Sequence, residues 1–235
     1  MFAGPNGSGK TTVKTRLQRP PEWFGIYINP DEIEATIRSS GVLQLDAFGV
    51  EADTEEVRGY FVSSTFLQSQ GLAGTAAGIA VHGGRLHFDR HELNSYHASV
   101  LADFLRRKAM KSLKSFSFET VMSSRDKVEL LRDARAAGFR TYLYYVATQD
   151  PAINIERVKR RVATGGHDVP IDKIISRYHR SLSLVPEAIR HADRAFFFDT
   201  SGDATKYIAS VEGGSTMTLQ ADDIPNWFSP IWSQF

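Results

Sequence analysis

The chain has 235 residues, 42% of them hydrophobic and 23% charged, the balance of a globular protein large enough to bury a full core rather than of a disordered segment. Its formal charge of +1 provides no overall field to gather nucleic acid or an anionic membrane, and the absence of cysteine excludes disulfides, Cys-based zinc sites and a thiol nucleophile. No apolar run approaches the roughly 18 residues of a membrane span and no signal-like segment opens the chain, so a cytoplasmic location is the default expectation.

Only Met1, Phe2 and Ala3 precede the first glycine, whereas a strand typically has about 5–6 residues, so either the first strand is abnormally short or, the favoured expectation, the true start lies upstream. Gly4-Pro5-Asn6-Gly7-Ser8-Gly9-Lys10-Thr11 then fits the Walker A pattern, with Thr11-Thr12 opening a helix through Leu17. In such a loop consecutive backbone N–H groups cage a phosphate chain, and the glycines let the main chain come close. Lys10 is expected to reach the β- and γ-phosphates, and the Thr11 hydroxyl to ligate Mg²⁺. ATP and Mg²⁺ are therefore the expected cofactors.

After Pro20-Pro21, the stretch Phe24–Ile28 reads as a short buried strand. Asn29-Pro30-Asp31-Glu32 follows as a capping box, with a helix through Arg38. Asp31 thus stands where a strand's C-terminal end becomes a helix, the edge at which open parallel sheets bind ligands. It is the best candidate for the base that takes the proton of an attacking hydroxyl; a helix-dipole role is the alternative.

Residues 40–90 read as an insertion in a single domain covering 1–235, serving either as a substrate lobe or as decoration. Within it, 51–70 suits a helix, Gly71–Gly78 a flexible connection, and 79–82 with 85–88 a hairpin over Gly83-Gly84. His87 and His91 have helical metal-ligand spacing but no third ligand, which reads as two surface histidines. Apolar residues at three- and four-residue steps then predict an amphipathic helix over 91–113.

Ser115–Phe118 forms the next expected strand, ending at Glu119-Thr120, whose polar side chains could hold acceptor hydroxyls or simply close the strand. A helix over 127–137 leads to a strand at 139–146, and Asp150-Pro151 opens a helix to Val162. Past Gly165-Gly166 a second helix begins near Pro170. Arg157 and Arg161 share one helical face, as do Arg177 and Arg180, so the pair of helices resembles a hinged lid closing over a triphosphate. The core ends with a strand at 195–198, and the aromatic tail of Trp227, Phe228, Trp232 and Phe235 is expected to pack on its own domain. Strand and helix alternating in this way predict an α/β P-loop NTPase fold, a doubly wound parallel five-stranded sheet. Neither a guanine-specificity motif nor a transporter-ATPase signature is present, which favours a small kinase over a GTPase or motor.

Gly4–Thr11, Asn29-Pro30-Asp31, Phe116–Thr120, Gly138–Tyr142, Arg157–Val162, Gly165–Pro170, Arg177-Tyr178 and Phe198–Ser201 together resemble the zeta toxin family of P-loop kinases. The resemblance implies a fold like that of nucleotide and shikimate kinases. It implies Asp31 as base, Glu119 and Thr120 at the acceptor, and Arg157, Arg161 and Arg177 around the phosphates. It also implies transfer to a small-molecule hydroxyl such as that of UDP-N-acetylglucosamine, and it admits an inhibitory antitoxin protein as partner. A nucleotide-binding regulatory module with slow ATP hydrolysis is the alternative.

Overall fold

The computed structural model describes residues 1–17, 21–89, 91–166 and 168–235. In chain order, β1 (Phe2–Ala3) precedes α1 (Lys10–Arg16), β2 (Ile26–Tyr27), α2 (Pro30–Ser40), β3 (Val42–Gln44), α3 (Thr54–Ser63) and α4 (Thr65–Ser69). Next come β4 (Ala80–His82), β5 (Arg85–His87), α5 (Ser95–Lys111), β6 (Phe116–Ser117), β7 (Glu119–Thr120), α6 (Asp126–Ala136) and β8 (Tyr142–Ala147). The remainder is α7 (Pro151–Ala163), α8 (Ile171–Ser183), α9 (Val185–Arg190), β9 (Arg194–Asp199), β10 (Lys206–Glu212), β11 (Thr216–Leu219) and α10 (Ser229–Trp232). These elements form two compact units, one of residues 1–19 and 119–235, the other of residues 20–118.

The first unit is built on a sheet of order β11-β10-β9-β8-β1-β7. β1, although two residues long, is held on both sides, with Phe2 and Ala3 opposite Glu119 and Thr120 of β7 and opposite Tyr144 and Tyr145 of β8. β7, β1, β8 and β9 run parallel, and their aromatic residues stack across the ladder: Phe2 on Tyr144 at 4.8 Å and Tyr144 on Phe196 at 5.0 Å between ring centroids. Where five parallel strands were expected, this sheet has four, and β10 and β11 add an antiparallel pair that brings it to six. A bulge between Tyr207 and Ala209 breaks the period-two alternation that would have marked β10 in the sequence. Gly213 and Gly214, both at positive φ, make the tight turn into β11. Trp227 and Phe228 are buried, as expected of the tail, while Trp232 and Phe235 are each 46% exposed.

The second unit has its own core, in which Ile33 and Ile37 of α2, Leu43 of β3, Val57 and Phe61 of α3, and Leu101 and Leu105 of α5 are buried together. The 40–90 stretch is woven into it, since β3, β5 and β4 form an antiparallel sheet in that order. Gly83 and Gly84 close the expected hairpin. The 51–70 stretch is broken at Ser64, which caps α4 through its side chain. Of the Gly71–Gly78 run, Ala73–Gly78 is a 3₁₀ segment with Ala76 buried, not a free connection. β2 was expected in the main sheet; its hydrogen-bonded partner is β6, in a separate two-stranded parallel ladder. α5 starts at Ser95, where Asn94 and His97 form a capping box. His87 therefore ends a strand and His91 sits in a turn, so the helical spacing read between them is not realised. Among the described residues no helix is long and apolar enough to cross a membrane.

Candidate functional site

The loop between β1 and α1 is shaped by contacts that leave no room for side chains. Gly4 has φ 145°, and a Cβ there would stand 2.0 Å from the Val146 carbonyl oxygen of β8. Gly7, at φ 75°, would place a Cβ 2.6 Å from the Asn154 carbonyl oxygen of α7. The main chain can press this closely on its neighbours only because both positions are glycine. Pro5 is buried beside them, and Gly9, in the left-handed region, is the N-cap of α1.

Four side chains of the first unit meet at this loop and the helix that follows it. The Lys10 ammonium donates to the Gly4 carbonyl at 2.8 Å and the Pro5 carbonyl at 3.0 Å, so a positive charge lies across the loop. The Thr11 hydroxyl donates to Glu119 Oε2 at 2.8 Å, and Lys14 Nζ lies 3.5 Å from Glu119 Oε1. Glu119 reaches α1 because β7 is hydrogen-bonded directly to β1. A hydroxyl and a carboxylate are hard oxygen donors of the kind Mg²⁺ takes, so this pair fits that ion by its donor chemistry. Thr120 accepts the Gly4 N–H at its carbonyl, 3.2 Å, and the Met122 N–H at its hydroxyl, 3.0 Å. Thr12 is exposed on α1.

A second ring of residues braces the loop from outside. The Asn154 side-chain amide donates to the Asn6 carbonyl at 2.6 Å, and its oxygen accepts from the Thr148 hydroxyl. The Thr200 hydroxyl donates to the Ser8 carbonyl at 2.8 Å and receives Arg157 Nη1 at 3.2 Å, while Arg157 Nη2 donates to the Thr200 carbonyl at 2.5 Å. Asn6 Oδ1 and Ser8 Oγ are buried and find no hydrogen-bond partner among the described residues. Two orphaned polar atoms in one short loop mark a place where the protein alone does not complete the bonding. Asn154 and Thr200 escaped the sequence reading. A clue to Asn154 existed, because it occupies, with Val158, the buried face of an otherwise amphipathic helix.

The arginine-bearing pair α7 and α8 shares a small core of Val158, Val169 and Ile174. Arg157 is half-buried against Thr200, Arg161 and Arg180 are exposed, and Arg177 is half-buried. Next to Arg177, the Tyr178 hydroxyl donates to the Thr148 carbonyl at 2.6 Å. Burial, with the nearby carboxylates of Asp150 and Asp199, pushes that hydroxyl up to about 12, so it remains a donor at all ordinary pH. Of the Gly165–Pro170 segment, position 167 lies outside the described residues. Asp31 belongs to the second unit, where it is exposed at the second position of α2 with its N–H on Asn29 Oδ1 at 3.0 Å. Glu32 meets the Asn29 side-chain amide, 3.4 Å, where the capping box expected a bond to the backbone.

A family model described as Zeta toxin matches residues 87–207, a stretch that takes in Glu119, Thr120, Arg157, Arg161, Arg177 and Thr200 but begins after the glycine loop. A protein of Haemophilus influenzae described as uncharacterized is 31% identical over 70 residues, 30% of this chain and 50% of the relative. The chain thus spans about half the length of that relative. Among solved structures, AvrRxo1-ORF1:ORF2 with ATP superposes with a TM-score of 0.53 at 17% identity, over 99% of this chain and 62% of that one. The same pair with sulphate ions gives 0.52 at 15% identity, again over 99% and 62%. This likeness is one of fold.

Proposed function

Since the chain belongs to the zeta toxin family, we propose that it is an ATP- and Mg²⁺-dependent phosphotransferase acting on a hydroxyl of a small molecule. The observation that carries this reading is the glycine loop with the Lys10 ammonium laid across it and the Thr11 hydroxyl bonded to Glu119. Phosphoryl transfer asks chiefly for positioning and charge neutralisation, and each residue has a part in that. Backbone N–H groups of the loop beyond Pro5, up to Thr12, hold the phosphate chain, and Lys10 turns from its own carbonyls to the β- and γ-phosphates. Mg²⁺, when bound, neutralises charge on those phosphates, and Thr11 and Glu119 would hold it. Arg157, Arg161 and Arg177 supply further positive charge as it develops on the transferred group. Asp31 accepts the proton of the attacking hydroxyl. Glu119 and Thr120 close the strand beside the loop and also serve the acceptor.

That ATP is the donor is supported by its presence in the AvrRxo1-ORF1:ORF2 structure. The acceptor we propose is a nucleotide sugar of the UDP-N-acetylglucosamine type, the substrate class of the family, and the two-chain solved complexes support an inhibitory protein partner. The test is incubation with γ-labelled ATP, Mg²⁺ and a cell metabolite extract, with UDP-N-acetylglucosamine assayed separately. Label in an organic acceptor is the expected result. Label recovered only as inorganic phosphate would overturn the kinase in favour of a slow ATPase module.

A further inference from the structure

We propose that Trp227, in the C-terminal segment, is a positioning residue for the phosphate loop, acting through the Asp199 carboxylate. The inference rests on the reading of that loop as a polyphosphate site.

Asp199 is the last residue of β9, only 5% exposed, and three donors meet its carboxylate. The Trp227 indole N–H reaches Oδ2 at 2.7 Å, the Ser201 hydroxyl reaches Oδ2 at 3.0 Å, and the Ser201 N–H reaches Oδ1 at 2.9 Å. The Ser201 hydroxyl in turn accepts the Gln149 N–H at 2.7 Å, which ties the turn to the end of β8. Asp199 and Ser201 flank Thr200, the residue whose hydroxyl holds the Ser8 carbonyl of the loop. That hydroxyl has one proton. At 2.8 Å from Ser8 O and 3.3 Å from Ala147 O, the direction of its bond depends on how the turn is set. The carboxylate with its three donors sets the turn, and only one of those donors comes from outside it and its immediate neighbour. A side chain 219 positions from Ser8 in sequence thus governs the backbone that would meet the phosphates.

Trp227→Phe removes the indole donor. An aromatic ring is kept where Trp227 packs against Tyr145, 6.0 Å between centroids, and Phe228, 5.6 Å, while the N–H is lost together with part of the buried ring. Calorimetric titration with Mg²⁺-ATP is expected to show about tenfold weaker binding in the folded variant, the scale of one hydrogen bond to a charged group. Val211→Ala, in β10, serves as the control for stability alone: with a comparable loss of melting temperature it should bind ATP as the unsubstituted chain does. Equal affinity in folded Trp227→Phe and the unsubstituted chain overturns the inference and leaves the proposed function standing. Affinity lost equally in Val211→Ala also overturns it. If Trp227→Phe does not fold, Asp199→Asn decides, because it removes the charge that the indole N–H meets without touching the aromatic packing; unchanged ATP affinity there overturns the inference. An unsubstituted chain that binds no ATP overturns both readings.

Discussion

The Lys10 ammonium rests on two carbonyls of its own loop, so the side chain is already folded over the backbone assigned to the phosphates. Lys10→Ala should therefore reduce ATP affinity and transfer together, read by calorimetry and by labelled product. Asp31 is assigned to the proton of the acceptor rather than to the phosphates. Asp31→Asn should lower transfer by about 10²–10⁴-fold, the usual contribution of a general base, while ATP affinity stays within about twofold. Retained turnover in that variant would remove Asp31 from the reaction. Glu119 takes bonds from Thr11 and Lys14. If it steadies the metal, Glu119→Gln should raise the Mg²⁺ concentration needed for half-maximal transfer; a raised KM for the acceptor at unchanged Mg²⁺ dependence would place it at the acceptor instead.

At the level of elements, α7 and the loop are fitted to each other main chain against main chain. Gly7→Ala would force a methyl into the Asn154 carbonyl and a side chain onto φ 75°. A loss of about 1–3 kcal/mol is expected by thermal or denaturant melting, together with loss of ATP binding. The loop itself was legible in the sequence because its chemistry is local: glycines, Lys10 and Thr11 stand at fixed spacing in one short run. Helices α2, α5, α7 and α8 were legible for the same reason, from caps and apolar periodicity. The bracing side chains were not, since Asn154 and Thr200 act on carbonyls 148 and 192 positions away in sequence. β10 was hidden by its bulge. β2 was read as a strand, but which partner it takes depends on a ladder that no local pattern encodes.

On the scale of the whole molecule, two cores should respond differently to acid. His97 is fully buried in the second unit, where Nδ1 accepts the Asn94 N–H at 3.2 Å, and Nε2 therefore carries the proton towards the Thr75 hydroxyl at 2.9 Å. Burial, against weaker opposing pulls from Glu92 and Glu34, holds this imidazole below its ordinary value of 6.5. As pH falls through about 6.5 the unfolded chain takes up a proton that the folded chain refuses, so the stabilisation present above that pH declines towards the folded value. Hydrogen exchange in α5 should accelerate between neutral and mildly acidic pH more than exchange in β8, and His97→Gln should flatten the difference. Equal acceleration in both would remove His97 as the cause. The second unit is one uninterrupted stretch of chain, and the β2–β6 ladder joins Ile26, near its beginning, to Phe116, near its end. Such an arrangement makes the stretch a cassette: a lineage could exchange it whole through crossovers at two sites, while the half that carries the glycine loop is inherited unchanged.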